Sequence, residues 1–289
     1  MNEPLFTGVC TALVTPFFEN RINYPMLQQL LRRQISAGVE AIVLAGTTGE
    51  SPTLSDTEKL ELFSKGKEYV KDDCIIIAGT GSNCTEHAVA LSKAAEEAGA
   101  DALLVVSPYY NKATPEGLFR HYLSIAHAVS IPIILYNVPS RTGVDIPLSV
   151  YKRLSVIPNI VGVKEATTDM CKISQILTQC HRTFHVWSGN DDLTVPVMAL
   201  GGKGVISVTS NVCPKDVKQI CDHALLGDFE TAALLQQQIG KLTECLFCEV
   251  NPIPVKAAME IIGYDCGTCR MPLTELTPQN YRRLKDLLS

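Results

Sequence analysis

Short apolar runs and amphipathic stretches alternate almost without pause from residue 8 to about residue 226. The runs at 9–14, 39–45, 74–78, 102–106, 131–136, 160–164, 184–187 and 204–208 predict strands. Between them, stretches such as 26–36, 55–70, 85–98 and 116–128 carry a helical period. Leu27, Leu30, Leu31 and Ile35 fall at i, i+3, i+4 and i+8 and so share one helix face. Alternation of this kind makes parallel βαβ units, and eight of them in about 220 residues predict an α/β fold closed as a (β/α)8 TIM barrel. The rival, an open doubly wound sheet, would carry a G-x-G-x-x-G turn after its first strand, and none is there. From Gly227 onward the alternation stops, and 229–245, 252–262 and 278–288 read as helices with no strand between them. The expected division is a catalytic barrel over residues 1–227 and a C-terminal helical extension over 228–289.

Composition narrows the classes. The chain has 289 residues, 46% hydrophobic and 19% charged, with a formal net charge of -5, enough for one large barrel or two modest domains. No basic block offers a footprint for nucleic acid or an anionic membrane. No stretch approaches the roughly 18 apolar residues that span a bilayer. The first ten residues lack the positive start and apolar core of a signal peptide. With eleven cysteines, that predicts reduced thiols in the cytoplasm.

A (β/α)8 barrel places its chemistry at the C-terminal ends of its strands, and those positions hold the candidate residues. Lys164 ends the apolar run Ile160-Val161-Gly162-Val163. A lysine there either snorkels to water or sits buried, where an amine can attack a carbonyl. Tyr136 ends the neighbouring strand, either as an acid/base for the same cavity or as a packed ring with a wet hydroxyl. Gly46-Thr47-Thr48-Gly49-Glu50 offers hydroxyls and N–H groups with little bulk, suited equally to a small carboxylate and to capping the next helix. Arg141, on the loop after Tyr136, is either a carboxylate clamp or a surface arginine. An amine nucleophile, a proton relay, a carboxylate cradle and a cation at the mouth together equip a barrel for Schiff-base chemistry on a 2-oxo acid.

Two patterns point elsewhere and are set aside. Cys245-x-x-Cys248 and Cys266-x-x-Cys269 lie 17 residues apart, a spacing found at structural zinc. A helix between them would hold its ends roughly 16 Å apart, at about 1.5 Å per residue, too far for thiolates that share one metal. Gly201-Gly202-Lys203-Gly204 lacks the phosphate-loop spacing and precedes a strand. The six histidines form no ligand motif. Asp191 and Asp192 are expected to start the helix after strand seven, favoured there by the dipole.

At these residues the chain resembles the dihydrodipicolinate synthase family of pyruvate-dependent class I aldolases. The resemblance spans essentially the whole chain, including Asn251-Pro252-Ile253-Pro254-Val255-Lys256. The 46–50 motif marks the superfamily. Tyr136-Asn137-Val138-Pro139, Arg141-Thr142-Gly143 and Gly162-Val163-Lys164-Glu165-Ala166 fit the synthases better than the sugar-acid aldolases or N-acetylneuraminate lyase, which share the mechanism. The resemblance implies a lyase joining pyruvate to aspartate-4-semialdehyde, with no metal or organic cofactor. Lys164 would form the imine and Tyr136 shuttle protons, with Thr47 and a neighbouring subunit's copy of Tyr110 completing the relay. Thr48, Gly189 and the Ile206 backbone would hold substrate, and Arg141 the semialdehyde carboxylate. It implies a homotetramer built as a dimer of dimers. It also implies an effector cleft for lysine, with Ser51, Asn83 and Tyr109 at matching positions. Asp56 and Lys59 stand where lysine-sensitive members carry histidines, and His87 where they carry a glutamate, so weak or absent lysine inhibition is expected. The alternatives are a sugar-acid aldolase of the same mechanism and a catalytically silent barrel acting as a binding protein.

Overall fold

The strand-forming runs are buried on both faces, and this is what closes them into a barrel rather than a half-exposed sheet. In the computed structural model, which describes residues 3–289, the strands are β1 (Gly8–Ala12), β2 (Phe17–Phe18), β3 (Arg21–Ile22), β4 (Ala41–Leu44), β5 (Ile75–Gly79), β6 (Ala102–Val106), β7 (Ile133–Asn137), β8 (Ile160–Glu165), β9 (His185–Ser188) and β10 (Gly204–Ser207). β1 and β4 to β10 close in sequence order, all parallel, with β10 returning to β1. Successive residues alternate between two cores. Ala41, Val43, Ile77, Leu104, Trp187 and Ile206 fill the barrel interior, while Ile42, Leu44, Ile76 and Leu103 face the surrounding helices.

The helices that separate the strands are α1 (Tyr24–Ser36), α2 (Asp56–Val70), α3 (Thr85–Glu97), α4 (Pro115–Ala128), α5 (Pro139–Thr142), α6 (Leu148–Leu154), α7 (Met170–Gln179), α8 (Thr194–Ala199) and α9 (Pro214–Leu225). Their starts are written locally. Ser55 and Glu58 form a reciprocal capping box on α2, and Asp169 accepts from two N–H groups at the start of α7. Leu27, Leu30 and Leu31 of α1 are buried, as their spacing predicts. After α9 come α10 (Phe229–Gln238), α11 (Gly240–Leu246), α12 (Ile253–Ile261) and α13 (Pro278–Leu288), with no strand among them.

The structure departs from the sequence expectation in a few places. The short β2–β3 hairpin and the helices α5 and α6 carry too few residues for a periodic signal. The helix expected over 229–245 is two, broken at Ile239-Gly240, where a glycine weakens the helix by roughly 1 kcal/mol.

One register shift matters for everything above it. β7 and β8 pair Ile133 with Ile160 but Ile134 with Gly162, so Val161 is an extra residue on β8. The shift sets Tyr136 opposite Lys164; without it Tyr136 would face Val163. Gly162 is needed one layer below Lys164, because a Cβ there would lie 2.7 Å from the Trp187 ring.

The C-terminal helices are tied to the barrel by a buried ion pair. Lys256 on α12 donates to Glu50 at 2.9 Å and to the Thr268 carbonyl at 3.1 Å. Glu50 also accepts from the Arg270 N–H at 2.8 Å. Both charged side chains are almost fully excluded from solvent. Removing one partner strands the other charge, a loss of about 3–5 kcal/mol. Lys256→Met is therefore expected to lower the unfolding free energy in urea by that amount. A loss under about 1 kcal/mol, the size typical of an exposed pair, would show that the pair does not hold these helices in place.

Candidate active site

Two lysines are buried to nearly the same degree, Lys164 at 5% exposure and Lys256 at 4%, and their surroundings differ. Lys256 has its carboxylate. Among the described residues no carboxylate lies within ion-pair distance of Lys164. Its Nζ stands 4.6 Å from the centroid of the Tyr136 ring, and the nitrogen faces an enclosed cavity of about 160 Å3 at the C-terminal ends of the strands. That is about five times the ~30 Å3 share of one liquid water, room for a small acid. Burial without a partner is costly for an ammonium, and the nitrogen is left available to a reactant.

The cavity collects side chains from most of the expected positions. Thr47, Thr48, Tyr136, Arg141, Lys164 and Gly189 all line it. The 46–50 turn closes through the Glu50 N–H to the Thr47 carbonyl at 3.1 Å and the Ser51 N–H to the Gly46 carbonyl at 3.2 Å. The N–H groups of Thr47 and Thr48 take no acceptor among the described residues, so they remain for an anion. Thr48 Oγ1 accepts from Asn251 Nδ2 at 3.0 Å, which leaves its own O–H to donate. Ile206 does not line this cavity. It belongs to the packed barrel interior, and Val208 is the residue of that segment at the cavity wall.

Behind the cavity two buried carboxylates frame the strand ends. Glu165 points outward from β8 and accepts from Tyr151 at 2.8 Å, Asn137 at 2.8 Å and the Thr167 N–H at 3.0 Å. Burial pushes its carboxyl up, against the Lys172 charge and these bonds. Asp191 opens the 3-10 turn Asp191–Leu193 that leads directly into α8, as expected, and it has a second task. It turns back to accept from the Ser207 hydroxyl and from the Val208 N–H at 2.9 Å and the Thr209 N–H at 3.3 Å. Burial pushes its carboxyl up, and the bonds from Ser207, Val208 and Thr209, with the Lys164 charge, pull the other way.

Several cavity residues carry no assigned role in the sequence expectation. Asn251 is buried, and its Oδ1 has no hydrogen-bond partner. Its backbone carbonyl accepts from Arg141 at 3.3 Å. Phe247, Asn190 and Ser140 complete the wall. Asn251 stands out only as the residue before Pro252; Phe247 lies on no periodic stripe.

A wider cleft of about 1010 Å3 adjoins the cavity and shares Gly46, Thr47, Tyr136 and Arg141 with it. Ser51, Asn83, Tyr109 and Tyr110 line this cleft. Tyr110 is 86% exposed with a left-handed φ of 71°, a conformation that costs a bulky residue of order 1–3 kcal/mol. It does not line its own chain's Lys164 cavity. At the cleft edge Asp56 accepts from His87 at 2.7 Å and pairs with Lys59 at 3.6 Å. The His87 bond, aided by the Lys59 charge, holds the Asp56 carboxyl below the usual range. The two Cys-x-x-Cys segments do not meet: no three His, Cys, Asp or Glu residues among those described converge as metal ligands.

Fold and cavity together define a (β/α)8-barrel enzyme with a buried lysine facing a cavity at the C-terminal face. The family model described as the dihydrodipicolinate synthetase family matches residues 5–289. A curated relative, the 4-hydroxy-tetrahydrodipicolinate synthase of Acetivibrio thermocellus, is 47% identical over 288 residues, covering 100% of this chain and 98% of that one. The crystal structure of dihydrodipicolinate synthase from Aquifex aeolicus superposes with a TM-score of 0.96 at 45% identity, covering 98% of this chain and 97% of that one. The chloride-inhibited synthase of Acinetobacter baumannii, solved in complex with pyruvate, gives 0.95 at 43% identity with 98% of each chain covered. The chain belongs to the dihydrodipicolinate synthetase family. Neither the sugar-acid aldolase nor the silent-barrel alternative is favoured by these matches.

Asn251→Ala removes a cavity-facing amide whose acceptor is already unpartnered. With the Thr48 hydroxyl no longer held by its donor, the substitution is expected to cut kcat/KM by about tenfold and to cost about 1 kcal/mol of stability, the size of one neutral hydrogen bond. Unchanged kcat/KM in steady-state assays would place the amide outside the reaction.

Proposed function

We propose that this chain is a lyase condensing pyruvate with L-aspartate-4-semialdehyde to 4-hydroxy-tetrahydrodipicolinate, in the biosynthesis of diaminopimelate and lysine. The single observation that carries the chemistry is the buried, carboxylate-free Lys164 facing a small cavity beside Tyr136. Its amine adds to the ketone carbon of pyruvate, and loss of water leaves an imine whose positive nitrogen acidifies the methyl group. Removal of a methyl proton gives the enamine, which attacks the aldehyde carbon. The amine of the second substrate then displaces Lys164 as the ring closes. The imine nitrogen is the electron sink, so the steps call for no metal or organic cofactor.

The roles divide by position. Tyr136 moves protons at the imine, and Thr47 extends the relay toward the wider cleft. The free N–H groups of Thr47 and Thr48 and the Thr48 hydroxyl cradle the pyruvate carboxylate, beside Gly189. The Ile206 backbone is assigned to the same substrate by family resemblance alone. Arg141, exposed at the mouth and anchored on the Asn251 carbonyl, receives the carboxylate of the semialdehyde through charge-assisted bonds. Tyr110, strained and exposed, completes the relay of a neighbouring subunit, which makes the working unit a homo-oligomer, a tetramer built as a dimer of dimers. No helix among the described residues is long and apolar enough to cross a membrane; we place the enzyme in the cytoplasm.

Borohydride reduction in the presence of pyruvate tests the core of this reading. Mass spectrometry should find the adduct on Lys164 in the parent chain and in Arg141→Ala, while Arg141→Ala loses about a hundredfold in kcat/KM for the semialdehyde, the roughly 3 kcal/mol of a bidentate charged bond. An unmodified Lys164 would sink the assignment, and so would undiminished turnover in Arg141→Ala.

The wider cleft is the place where lysine would act, with Ser51, Asn83 and Tyr109 for its carboxylate end. A lysine ammonium leaving water needs an anion. Asp56 is already engaged by His87 and Lys59, so weak or absent inhibition is expected. Initial rates measured against added lysine decide the matter, and inhibition at sub-millimolar concentration would contradict it.

A further inference from the structure

Cys245 lies in the last turn of α11, and Cys248 stands three residues on. The chain turns tightly between them: the Cys248 N–H donates to the Cys245 carbonyl at 3.3 Å and the Phe247 N–H to the Glu244 carbonyl at 3.2 Å. An i to i+3 closure brings the two Cα atoms within about 7 Å, and disulfides span roughly 4.4–6.8 Å. The two thiols interact with each other, and the Arg283 guanidinium lies within electrostatic reach of both. Arg283 is fixed there by Glu244 at 2.8 Å; burial and the neighbouring Cys248 push the Cys245 thiol up, and the Arg283 charge pulls the other way. Cys245 is buried and Cys248 only partly so, so an outside reagent meets Cys248 first. Burial also pushes Cys266 and Cys269 each up to about 12, with the Glu50 carboxylate adding to this at Cys269 and the Lys256 charge opposing it at both.

The position of this dithiol gives it a consequence. Phe247, between the cysteines, lines both the Lys164 cavity and an adjoining cleft of about 590 Å3. Asn251, three residues after Cys248, donates to Thr48 across the cavity. We propose that Cys245 and Cys248 are a reversible oxidation site, and that their disulfide shifts Phe247 and Asn251 and lowers turnover at Lys164. The oxidant is a small-molecule or protein disulfide. The Cys248 thiolate attacks one of its sulfurs and releases the first thiolate. Cys245 gives up its proton and attacks the Cys248 sulfur, releasing the second. Two cysteine thiols and one external disulfide become one internal disulfide and two external thiols, with two electrons passing to the external pair. The effect on turnover rests on the function proposed above; the bond itself does not.

The test uses the full-length reduced protein equilibrated with oxidised glutathione, followed by peptide mapping without reduction and by turnover assays. The expected result is a Cys245–Cys248 linked peptide, a fall in kcat/KM of roughly tenfold or more from displaced cavity groups, and recovery with dithiothreitol. Cys248→Ser, a partly exposed replacement, should keep basal turnover and lose the response. Absence of the linked peptide after full oxidation would overturn the site. A linked peptide with unchanged turnover, or equal inhibition of Cys248→Ser, would overturn the coupling. The borohydride adduct is read on the same samples. If it never forms even in reduced protein, the function above fails while the peptide map still decides the disulfide.

Discussion

The Glu50–Lys256 ion pair joins two parts of the chain 206 residues apart, and both parts carry residues that line the cavity. Glu50 ends the turn that carries Thr47 and Thr48, and Lys256 sits on the helix that follows Asn251. Phe17 lies against both Lys256 and Arg270, each 4.3 Å from its ring centroid, so the pair is roofed by an aromatic face. A buried charge is tolerated here because each partner is hydrogen-bonded at least twice. Glu50 meets an ammonium and a backbone N–H; Lys256 meets a carboxylate and a carbonyl. Once that joint is made, Asn251 reaches Thr48, and the carbonyl of Asn251 meets Arg141. The barrel alone would leave the cavity open on that side.

Within the barrel, rigidity is supplied from behind the reacting groups. Asn137 links the ends of β7 and β8 by donating to Glu165, and it receives the Ile146 N–H at 3.1 Å. The loop carrying Arg141 is thereby tied to the strand carrying Lys164. Asp191 does the same for β9 and β10. These carboxylates are satisfied by several donors each, which is what makes a buried anion useful as a brace rather than a defect. Lys164 is the exception to this pattern of pairing. The polar groups around it are bonded to one another, and the unspent capacity converges on the cavity: the Thr47 and Thr48 N–H groups, the Asn251 Oδ1 and the lysine nitrogen. Bonding capacity left unspent in a buried cavity is available to a reactant.

The outer cleft follows the same electrostatic logic with the opposite result. Asp56, His87 and Lys59 satisfy one another, so little is left over for a cationic visitor. At the Cys245-x-x-Cys248 turn the chain places a dithiol next to a wall residue of the cavity, on helices held down by ion pairs rather than on the barrel strands. Such helices can shift without breaking the sheet, because their backbone bonds are internal.

Sequence by itself determined the architecture and which side chains stand at the strand ends. Eight apolar runs alternating with one-faced helices admit few closed arrangements, and strand ends in such an arrangement name Lys164, Tyr136, the 46–50 turn and Arg141. Those are local properties: period, capping and position at the end of a run. What the sequence did not hold is register and long-range docking. The extra residue at Val161 puts Tyr136 opposite Lys164, and no periodicity marks it, because a residue buried on either face of a two-sided strand looks the same. Asn251 and Phe247 reach the cavity from outside the barrel repeat, and Asp191, at the helix start expected of it, also satisfies the turn after β10. Each of these is decided by which buried donor finds which acceptor across the fold. That is settled only when the elements pack, because unpaired polar groups cost more than any local preference provides.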